Sequence, residues 1–395
     1  MASPDAEISQ PPSNRKLVLA GQLAFLPTGI LTTLLGPMLP ILISRWAMND
    51  TQAGNLFLVQ FLASVVGVKL SGLLLARFGF RPALLSGLLL MAGGTATLYL
   101  GSHRLGLVSV AVYGLGLGFI IPTDNLLIAE ISTGSGANSR AGSRASAVSL
   151  LNFFWGVGAV LCSLMVAWTA AHNLLPFFLG SVAALLVLLA LAMRNLPFPA
   201  AAEKSAELTA SWLDLARTPA IWLFAAVFFL YPGAETAVGG WIGSYVSRLG
   251  TRGAAMASMM PAFFWSALTV GRALGTAFLR HFSERRILRA GFAAAAAGIG
   301  LMLWAGTLPG VIAGALITGL SYATLYPLTV ARLSERFGVA ARRIGALMFS
   351  LASLGPAVIP WMVGVISHAA GSLRAGMLVP LGVTVILFLM HLVEW

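Results

Sequence analysis

One carboxylate stands inside a long apolar stretch of this chain. Glu235 lies in the run YPGAETAVGG, within residues 221–246, which are otherwise almost entirely apolar. An ionised side chain at the centre of a bilayer costs at least about 2.5 to 3.5 kcal/mol, so it needs a partner, a wet cavity or a function. Pro232 and Gly233 precede it and are expected to interrupt the helix where its backbone faces a cavity. We therefore predict that Glu235 binds solute or a proton; the alternative is an internal brace that reaches Arg272.

Other polar and aromatic residues in apolar stretches complete a predicted site for a sugar. Amides and carboxylates can bond several hydroxyls at once, and aromatic faces pack on the C–H faces of a sugar ring. A Trp or Tyr in a membrane helix is more often a packing or interfacial residue, which is the competing interpretation. The predicted substrate-binding residues are Gln22, Asn125, Asn152, Trp155, Tyr231, Glu235, Trp241, Tyr322 and Tyr326, and the predicted proton-coupling residues are Glu235 and Asp124.

The elements that position these residues are membrane-spanning helices. Of 395 residues, 58% are hydrophobic and only 9% are charged, and the mean hydropathy is +0.90, which a soluble protein of this length does not tolerate. Apolar runs of about 20 residues are long enough to cross about 30 Å of hydrocarbon as helix. Twelve spans are predicted, at 17–43, 52–76, 82–101, 105–131, 144–169, 174–194, 219–247, 254–280, 286–306, 309–334, 343–369 and 372–393.

The net charge of +12 reports orientation and not nucleic-acid binding. Most of the Lys and Arg fall on the side that also carries both chain ends, and the positive-inside rule then places both termini in the cytoplasm. We expect a monomeric multi-pass protein of a bacterial inner membrane, with lipid as its surroundings. No metal, cofactor or enzymatic motif is visible, and the single cysteine, Cys162, excludes an intramolecular disulfide.

The chain repeats itself at an offset near 200 residues. Three spacings recur: Lys69, Gly72 and Arg77 match Arg272, Gly275 and Arg280; Pro122 and Glu130 match Pro327 and Glu335; Arg144 and Gly156 match Arg343 and Gly355. Repeated halves are typical of transporters. The predicted fold is all-α, with twelve transmembrane helices in two pseudo-symmetric six-helix bundles, 1–194 and 219–395, joined by a cytoplasmic linker at 195–218.

The segment GLLLARFGFRPALL resembles the loop signature between the second and third helices of the major facilitator superfamily. It keeps Gly72, Arg77, Gly79 and Arg81, and Ala76 stands where that family has Asp. Helix count, loop placement and duplication extend the resemblance over nearly the whole chain. It implies a transporter that works by alternating access.

Within this superfamily, two motifs of the chain resemble those of the fucose, galactose and glucose proton symporters. The run FLYPGAETAVGGWIGSYV resembles their seventh helix, and GLGFIIPTDN resembles their fourth. The acid of their fourth helix falls near Ile121 here, and the first helix has no acid. The resemblance therefore leaves proton coupling and facilitated diffusion both open.

Charged residues in the repeat suggest ion pairs. The resemblance implies that Arg77 with Glu130, and Arg280 with Glu335, brace the two halves at an inner gate; solvated surface charges are the alternative. Lys69 and Asp124 lie at similar depths, about 12 and 9 Å beyond Arg77 and Glu130, and are predicted to pair. Arg272 has no equivalent partner in the repeat.

The leading interpretation is secondary active transport of a small polyhydroxylated solute, most simply a sugar, with protons as a second ligand. Two alternatives remain open at this point. One is a carrier of organic anions or sugar acids, in which Lys69 and Arg272 bind the charge of the solute. The other is export of drugs or lipids, because an acid in an apolar cavity also suits cationic amphiphiles.

Overall fold

The structure, a computed structural model, describes residues 12–131, 141–199, 217–279, 281–337 and 341–392. Every regular element of this described part is helical. The α-helices are α1 (Pro12–Thr33), α2 (Leu35–Trp46), α3 (Asp50–Phe78), α4 (Phe80–Thr97), α5 (His103–Ile131), α6 (Ala141–Ala171), α7 (Leu175–Met193), α8 (Pro219–Val246), α9 (Thr251–Met256), α10 (Met260–Leu279), α11 (Glu284–Trp304), α12 (Leu308–Tyr322), α13 (Leu325–Phe337), α14 (Ala341–Ala370), α15 (Leu373–Gly376) and α16 (Leu378–Leu392).

Eleven helical segments of the described part are long and apolar enough to cross a membrane. They match eleven of the twelve predicted spans. The third, which became α4, is not among them: it has 18 residues, begins with Phe80, Arg81 and Pro82, and contains three glycines. Most of the predicted linker, residues 200–216, lies outside the described part.

The predicted interruption of the seventh span is wrong. Helix α8 runs without a break from Pro219 to Val246, with Pro232 inside it. Proline removes one backbone donor, but a membrane helix tolerates this where neighbouring helices accommodate the freed carbonyl. The breaks lie elsewhere, at Leu34 between α1 and α2 and at Ala323 and Thr324 between α12 and α13.

Glycines let two pairs of helices approach each other closely. A Cβ atom at Gly158 of α6 would lie 2.1 Å from the carbonyl oxygen of Leu26 in α1. At Gly355 of α14 it would lie 1.8 Å from the carbonyl oxygen of Phe229 in α8. Only a residue without a side chain fits at such distances, and small residues are what allow membrane helices to pack this closely. The same kind of contact thus joins α1 to α6 and α8 to α14.

The two halves of the chain are fastened together at one end of the molecule. We call the end that holds Pro12, Phe78 and Pro219 the linker side, and the end that holds Asp50, Val246 and Ala370 the far side. On the far side, Arg248 donates two hydrogen bonds to Asp50, one of 3.0 Å from Nη1 to Oδ2 and a shorter one from Nη2 to Oδ1. Ser367 of α14 donates to the same carboxylate. We call Asp50, Arg248 and Ser367 the far-side cluster.

A second polar contact joins α3 and α14, between one and two helical turns from Asp50 and Ser367. The indole Nε1 of Trp361 donates to Oδ1 of Asn55 over 3.1 Å. Backbone packing of Gly54 against Trp361 accompanies it, with 3.1 Å between a Cβ at Gly54 and the Trp361 carbonyl oxygen. Helices α3 and α14 are therefore in direct contact towards the far side.

Candidate functional site

A cavity of about 700 Å³ lies between the two halves. Its lining comes from the middle and linker-side parts of the helices, and Glu284, the first residue of α11, stands at its linker-side rim. The far-side cluster lies at the opposite end. The cavity is lined by Phe25, Thr32, Ile121, Val148, Ser149, Asn152, Phe153, Trp155, Gly156, Tyr231, Pro232, Glu235, Thr269, Arg272, Ala273, Glu284, Ala323, Thr324, Tyr326, Pro327, Leu328, Ala331 and Ala352.

Glu235 is the centre of a polar cluster in this cavity. The hydroxyl of Tyr231, one helical turn earlier in α8, donates to its Oε2. The guanidinium of Arg272 in α10 approaches its Oε1, with 3.9 Å between Nη2 and Oε1. Both side chains of this ion pair are largely buried, at 12% exposure for Glu235 and 28% for Arg272. The carboxylate thus has one firm hydrogen bond and one charge partner just beyond hydrogen-bonding distance.

Arg272 is also in contact with the N-terminal half. Its Cζ lies 5.5 Å from the ring centroid of Trp155, within the range of a cation–π interaction. The indole Nε1 of Trp155 donates to the hydroxyl of Thr32 over 3.3 Å, and the ring meets Trp265 edge-on at 5.7 Å. The Nε of Arg272 is buried and has no hydrogen-bond partner among the described residues. Arg272 therefore holds an unused donor close to the cavity.

Aromatic side chains form the wall beside Glu235. Tyr326 of α13 stacks on Tyr231 with 6.1 Å between ring centroids and 24° between planes. Tyr322 of α12 meets Tyr231 edge-on at 5.3 Å, and its own hydroxyl bonds that of Thr384 over 2.6 Å. All three rings are held by packing, and hydrogen bonds at the polar end also fix Tyr231 and Tyr322.

The structure brings together only part of the predicted site. Asn152, Trp155, Tyr231, Glu235 and Tyr326 line the cavity. The remaining four predicted substrate-binding residues are not among the lining residues. Two of them are buried: Gln22 is 9% exposed, and Tyr322 is fully buried behind Tyr231. The other two donate to backbone carbonyls, Asn125 to that of Ile121 over 2.7 Å and Trp241 to that of Pro360 over 2.9 Å.

The predicted pair between Lys69 and Asp124 does not form. Lys69 is exposed, whereas Asp124 is completely buried and both its carboxylate oxygens lack a hydrogen-bond partner in the described part of the chain. Asp124 faces α1, where a Cβ at Gly21 would lie 2.6 Å from its Oδ1. A similar depth along two helices does not bring two side chains together when they point in different directions around the helix axes.

The other predicted ion pairs have different outcomes. Arg272, which the repeat left without a partner, pairs with Glu235. Arg77 lies over the ring of its neighbour Phe78, 5.2 Å from the centroid, and its pairing with Glu130 stays a prediction. Arg280 lies outside the described residues, so its pairing with Glu335 also stays a prediction.

Sequence reasoning missed several lining residues, Thr32 above all. Thr32 carries the hydroxyl that orients Trp155, and it lies two residues before the break at Leu34. A threonine beside a break in an apolar helix is a weak signal, because most membrane threonines bond a carbonyl of their own helix. Thr32 does this as well, donating to the Thr28 carbonyl over 2.7 Å.

Comparisons with known proteins agree with this architecture. Residues 23–349 match the family model described as Major Facilitator Superfamily. The protein named Bypass of stop codon protein 6 from Saccharomyces cerevisiae is 24% identical over 288 residues, which cover 65% of this chain and 55% of the yeast protein. An uncharacterised MFS-type transporter of Yersinia pestis is 24% identical over 311 residues, 78% of this chain and 77% of that protein.

Two solved structures illustrate the shared fold. The nucleoside transporter NupG superposes with a TM-score of 0.77 at 14% identity, covering 95% of this chain and 98% of that one. The fucose:proton symporter FucP of Escherichia coli superposes with a TM-score of 0.63 at 19% identity, covering 95% and 97%. At these identities the likeness concerns the fold. The family match covers most of the sequence, and the chain therefore belongs to the Major Facilitator Superfamily, whose members are membrane transporters and not enzymes.

Proposed function

We propose that this protein is a secondary transporter of a small, uncharged, polyhydroxylated solute of the size of a monosaccharide or a nucleoside. The observation that carries the proposal is the cavity between the halves, centred on Glu235 and Arg272. Its volume, about 700 Å³, lies within the range of about 300 to 1,000 Å³ that small-molecule pockets occupy. Similarity to a nucleoside transporter and to a fucose symporter agrees with a solute of this class.

The lining groups have the chemistry that hydroxyls require. Among the described residues, Oε1 of Glu235 is an acceptor without a close hydrogen bond, and the guanidinium of Arg272, whose side chain is 28% exposed, belongs to the lining. The amide of Asn152 is exposed; its Nδ2 donates to the Val148 carbonyl over 2.8 Å and reaches Oδ1 of Asn125 only at 3.5 Å. Hydroxyls both donate and accept, so a polyol can bridge these groups, while Trp155 offers an aromatic face to its C–H surface.

The charges of the cavity favour an uncharged solute. Arg272 offsets the charge of Glu235, so the centre of the site is close to neutral when both are ionised. The anion-carrier alternative needs Lys69 and Arg272 in one cavity, and Lys69 is exposed and absent from the lining. Export of cationic amphiphiles needs a carboxylate without a cationic partner at the centre of the cavity. Glu235 is instead paired with Arg272.

The conformation fits one state of an alternating-access cycle. The far-side cluster and the contact of Trp361 with Asn55 close one end, and the cavity extends towards the linker side. With the linker in the cytoplasm, as the distribution of Lys and Arg predicts, this is the inward-facing state. Rocking of the two halves about the site would open the far side and close the other.

A ligand screen on the purified protein tests the proposal. Thermal-shift measurements would compare neutral hexoses, pentoses and nucleosides with sugar acids and with cationic amphiphiles. We expect stabilisation by neutral polyols in the parent and its loss in Glu235→Ala. Asp124→Asn is the matched control, because it alters a second buried acid that lies outside the cavity, and it should keep the response. Stabilisation by anions or cationic amphiphiles alone would overturn the proposed solute class.

A further inference from the structure

The hydroxyl of Tyr231 has two acceptors and one hydrogen. It lies within hydrogen-bonding distance of Oε2 of Glu235 and 2.8 Å from the carbonyl oxygen of Tyr322. A phenol carries a single donor hydrogen, so it cannot donate to both acceptors at once. Tyr322 is fully buried, so bulk water cannot reach its carbonyl oxygen. One of the two acceptors therefore lacks a hydrogen-bond donor unless a second hydrogen is bound at this site.

The protonation state of Glu235 decides which acceptor is served. An ionised carboxylate only accepts, so it takes the hydroxyl hydrogen and leaves the Tyr322 carbonyl without this donor. A protonated carboxyl group can donate its own hydrogen to the phenolic oxygen. The hydroxyl of Tyr231 is then free to donate to the Tyr322 carbonyl, and one added proton satisfies both acceptors.

The second acceptor lies at a structurally sensitive place. Tyr322 is the last residue of α12, and the helix breaks at Ala323 and Thr324 before α13 begins. The ring of Tyr322 is fixed through its hydroxyl bond to Thr384. Its backbone carbonyl is therefore the group that responds when Tyr231 gains or loses a hydrogen bond to it. Residues of the break line the cavity. A hydrogen bond to this carbonyl therefore restrains the segment that joins α12 to α13.

We propose that Tyr231 is a positioning residue that transmits the protonation of Glu235 to the break between α12 and α13. This rests on the proposed function only in that protons must reach Glu235 through the cavity. The charged and titratable groups around Glu235 are Arg272 from α10, Tyr231 from α8, Tyr322 from α12, Tyr326 from α13 and, at the cavity rim, Glu284 of α11. Arginine keeps its charge at all relevant pH values, so the switch depends on Glu235.

Hydrogen–deuterium exchange of the protein in lipid nanodiscs, without solute, tests this inference. Rates for peptides covering residues 320–328 would be compared at two pH values after correction for intrinsic exchange. In the parent we expect exchange to be about three- to tenfold slower at the lower pH, the effect of one additional hydrogen bond on a local opening. Tyr231→Phe and Glu235→Gln should each abolish this difference.

Tyr322→Phe is the matched control. It removes the hydroxyl that bonds Thr384 and keeps the backbone carbonyl, so the pH dependence should persist. The inference is overturned if Tyr231→Phe keeps the parental pH dependence, or if Tyr322→Phe abolishes it equally. Because no solute is present, a wrong assignment of the solute class leaves this result unaffected.

Discussion

Replacing Asp50 by Asn should shift the protein towards a state that is open on the far side. Asp50 is the first residue of α3, whereas Arg248 follows α8 and Ser367 belongs to α14. All three hydrogen bonds of the far-side cluster end on this one carboxylate. Asparagine keeps the size of the side chain but lacks the charge and one of the two acceptor oxygens.

The size of the shift follows from burial and geometry. Removing one partner of a fully buried ion pair costs about 3 to 5 kcal/mol, while an exposed pair is worth about 0 to 1 kcal/mol. The side chains here are 11% exposed for Asp50 and 41% for Arg248, so the pair lies between these limits. Its bidentate geometry strengthens it. About 2 kcal/mol is a reasonable midpoint, which corresponds to about a thirtyfold change in the ratio of closed to open molecules.

Distances between spin labels on the two halves measure this ratio. Labels at Ser102 and Arg252 would sit on exposed far-side positions of the N- and C-terminal halves. The only cysteine, Cys162, is buried and would be replaced by alanine. We expect longer distances to gain population in Asp50→Asn. Arg248→Gln should produce the same change, because it removes the other member of the pair.

A control separates the ion pair from far-side charge in general. Arg104→Gln removes one exposed positive charge on the same side without altering the far-side cluster. It should leave the distances unchanged. If Asp50→Asn and Arg248→Gln also leave the distances unchanged, the far-side cluster does not hold the halves together and the reasoning is refuted.

Three further predictions follow from the same contacts. Glu235→Gln should keep solute exchange but lose accumulation driven by a pH gradient in proteoliposomes, since the amide cannot titrate; parental accumulation would exclude the coupling role. Lys69→Met should change stability by less than about 0.5 kcal/mol, because the side chain is exposed, and a loss of folded protein would reveal a missed partner. Gly355→Ala should lower stability by about 1 to 3 kcal/mol or more, because its methyl group would overlap the Phe229 carbonyl. Gly382→Ala, which meets nothing within 4 Å, is the matched control for that denaturation measurement.

The depth of a residue along its helix could be predicted from the sequence. The direction in which its side chain points around the helix axis was harder to predict. Lys69 illustrates this. Helix α3 packs on α5 through Ser64, Gly67 and Ser71, and a Cβ at Gly67 would lie 2.3 Å from the Leu115 carbonyl oxygen. Lys69 is two residues from both Gly67 and Ser71, about 200° around the axis, so it points away from α5. This stripe of small residues was visible in the sequence and would have excluded the pair with Asp124.

Glu235 was the more predictable residue, because a lone acid in an apolar helix is costly to bury and persists where a partner or a function compensates the cost. Its hydrogen-bond donor, Tyr231, lies one turn earlier in the same helix and follows from the spacing, whereas its charge partner, Arg272, comes from α10 and no sequence spacing relates α10 to α8. The predicted interruption at Pro232 failed for a related reason. Whether a proline breaks a helix depends on how its neighbours accommodate the freed carbonyl, and those neighbours are distant in the sequence.

The charge balance of the site constrains the proton coupling proposed for Glu235. Of the described residues that line the cavity, those from the N-terminal half are uncharged. The charged ones, Glu235 and Arg272 at the centre and Glu284 at the linker-side rim, belong to the C-terminal half. With both ionised, the pair is neutral and adds no charge when the halves rock. Protonation of Glu235, as proposed, would leave Arg272 uncompensated, so the centre of the site would carry one positive charge, and a membrane potential acts on such a charge with about 2.3 kcal/mol per 100 mV. Trp155 offsets part of this charge through its ring face. The proposed proton coupling would therefore depend on how readily Arg272, without its charge partner Glu235, is tolerated beside Trp155 and bound solute.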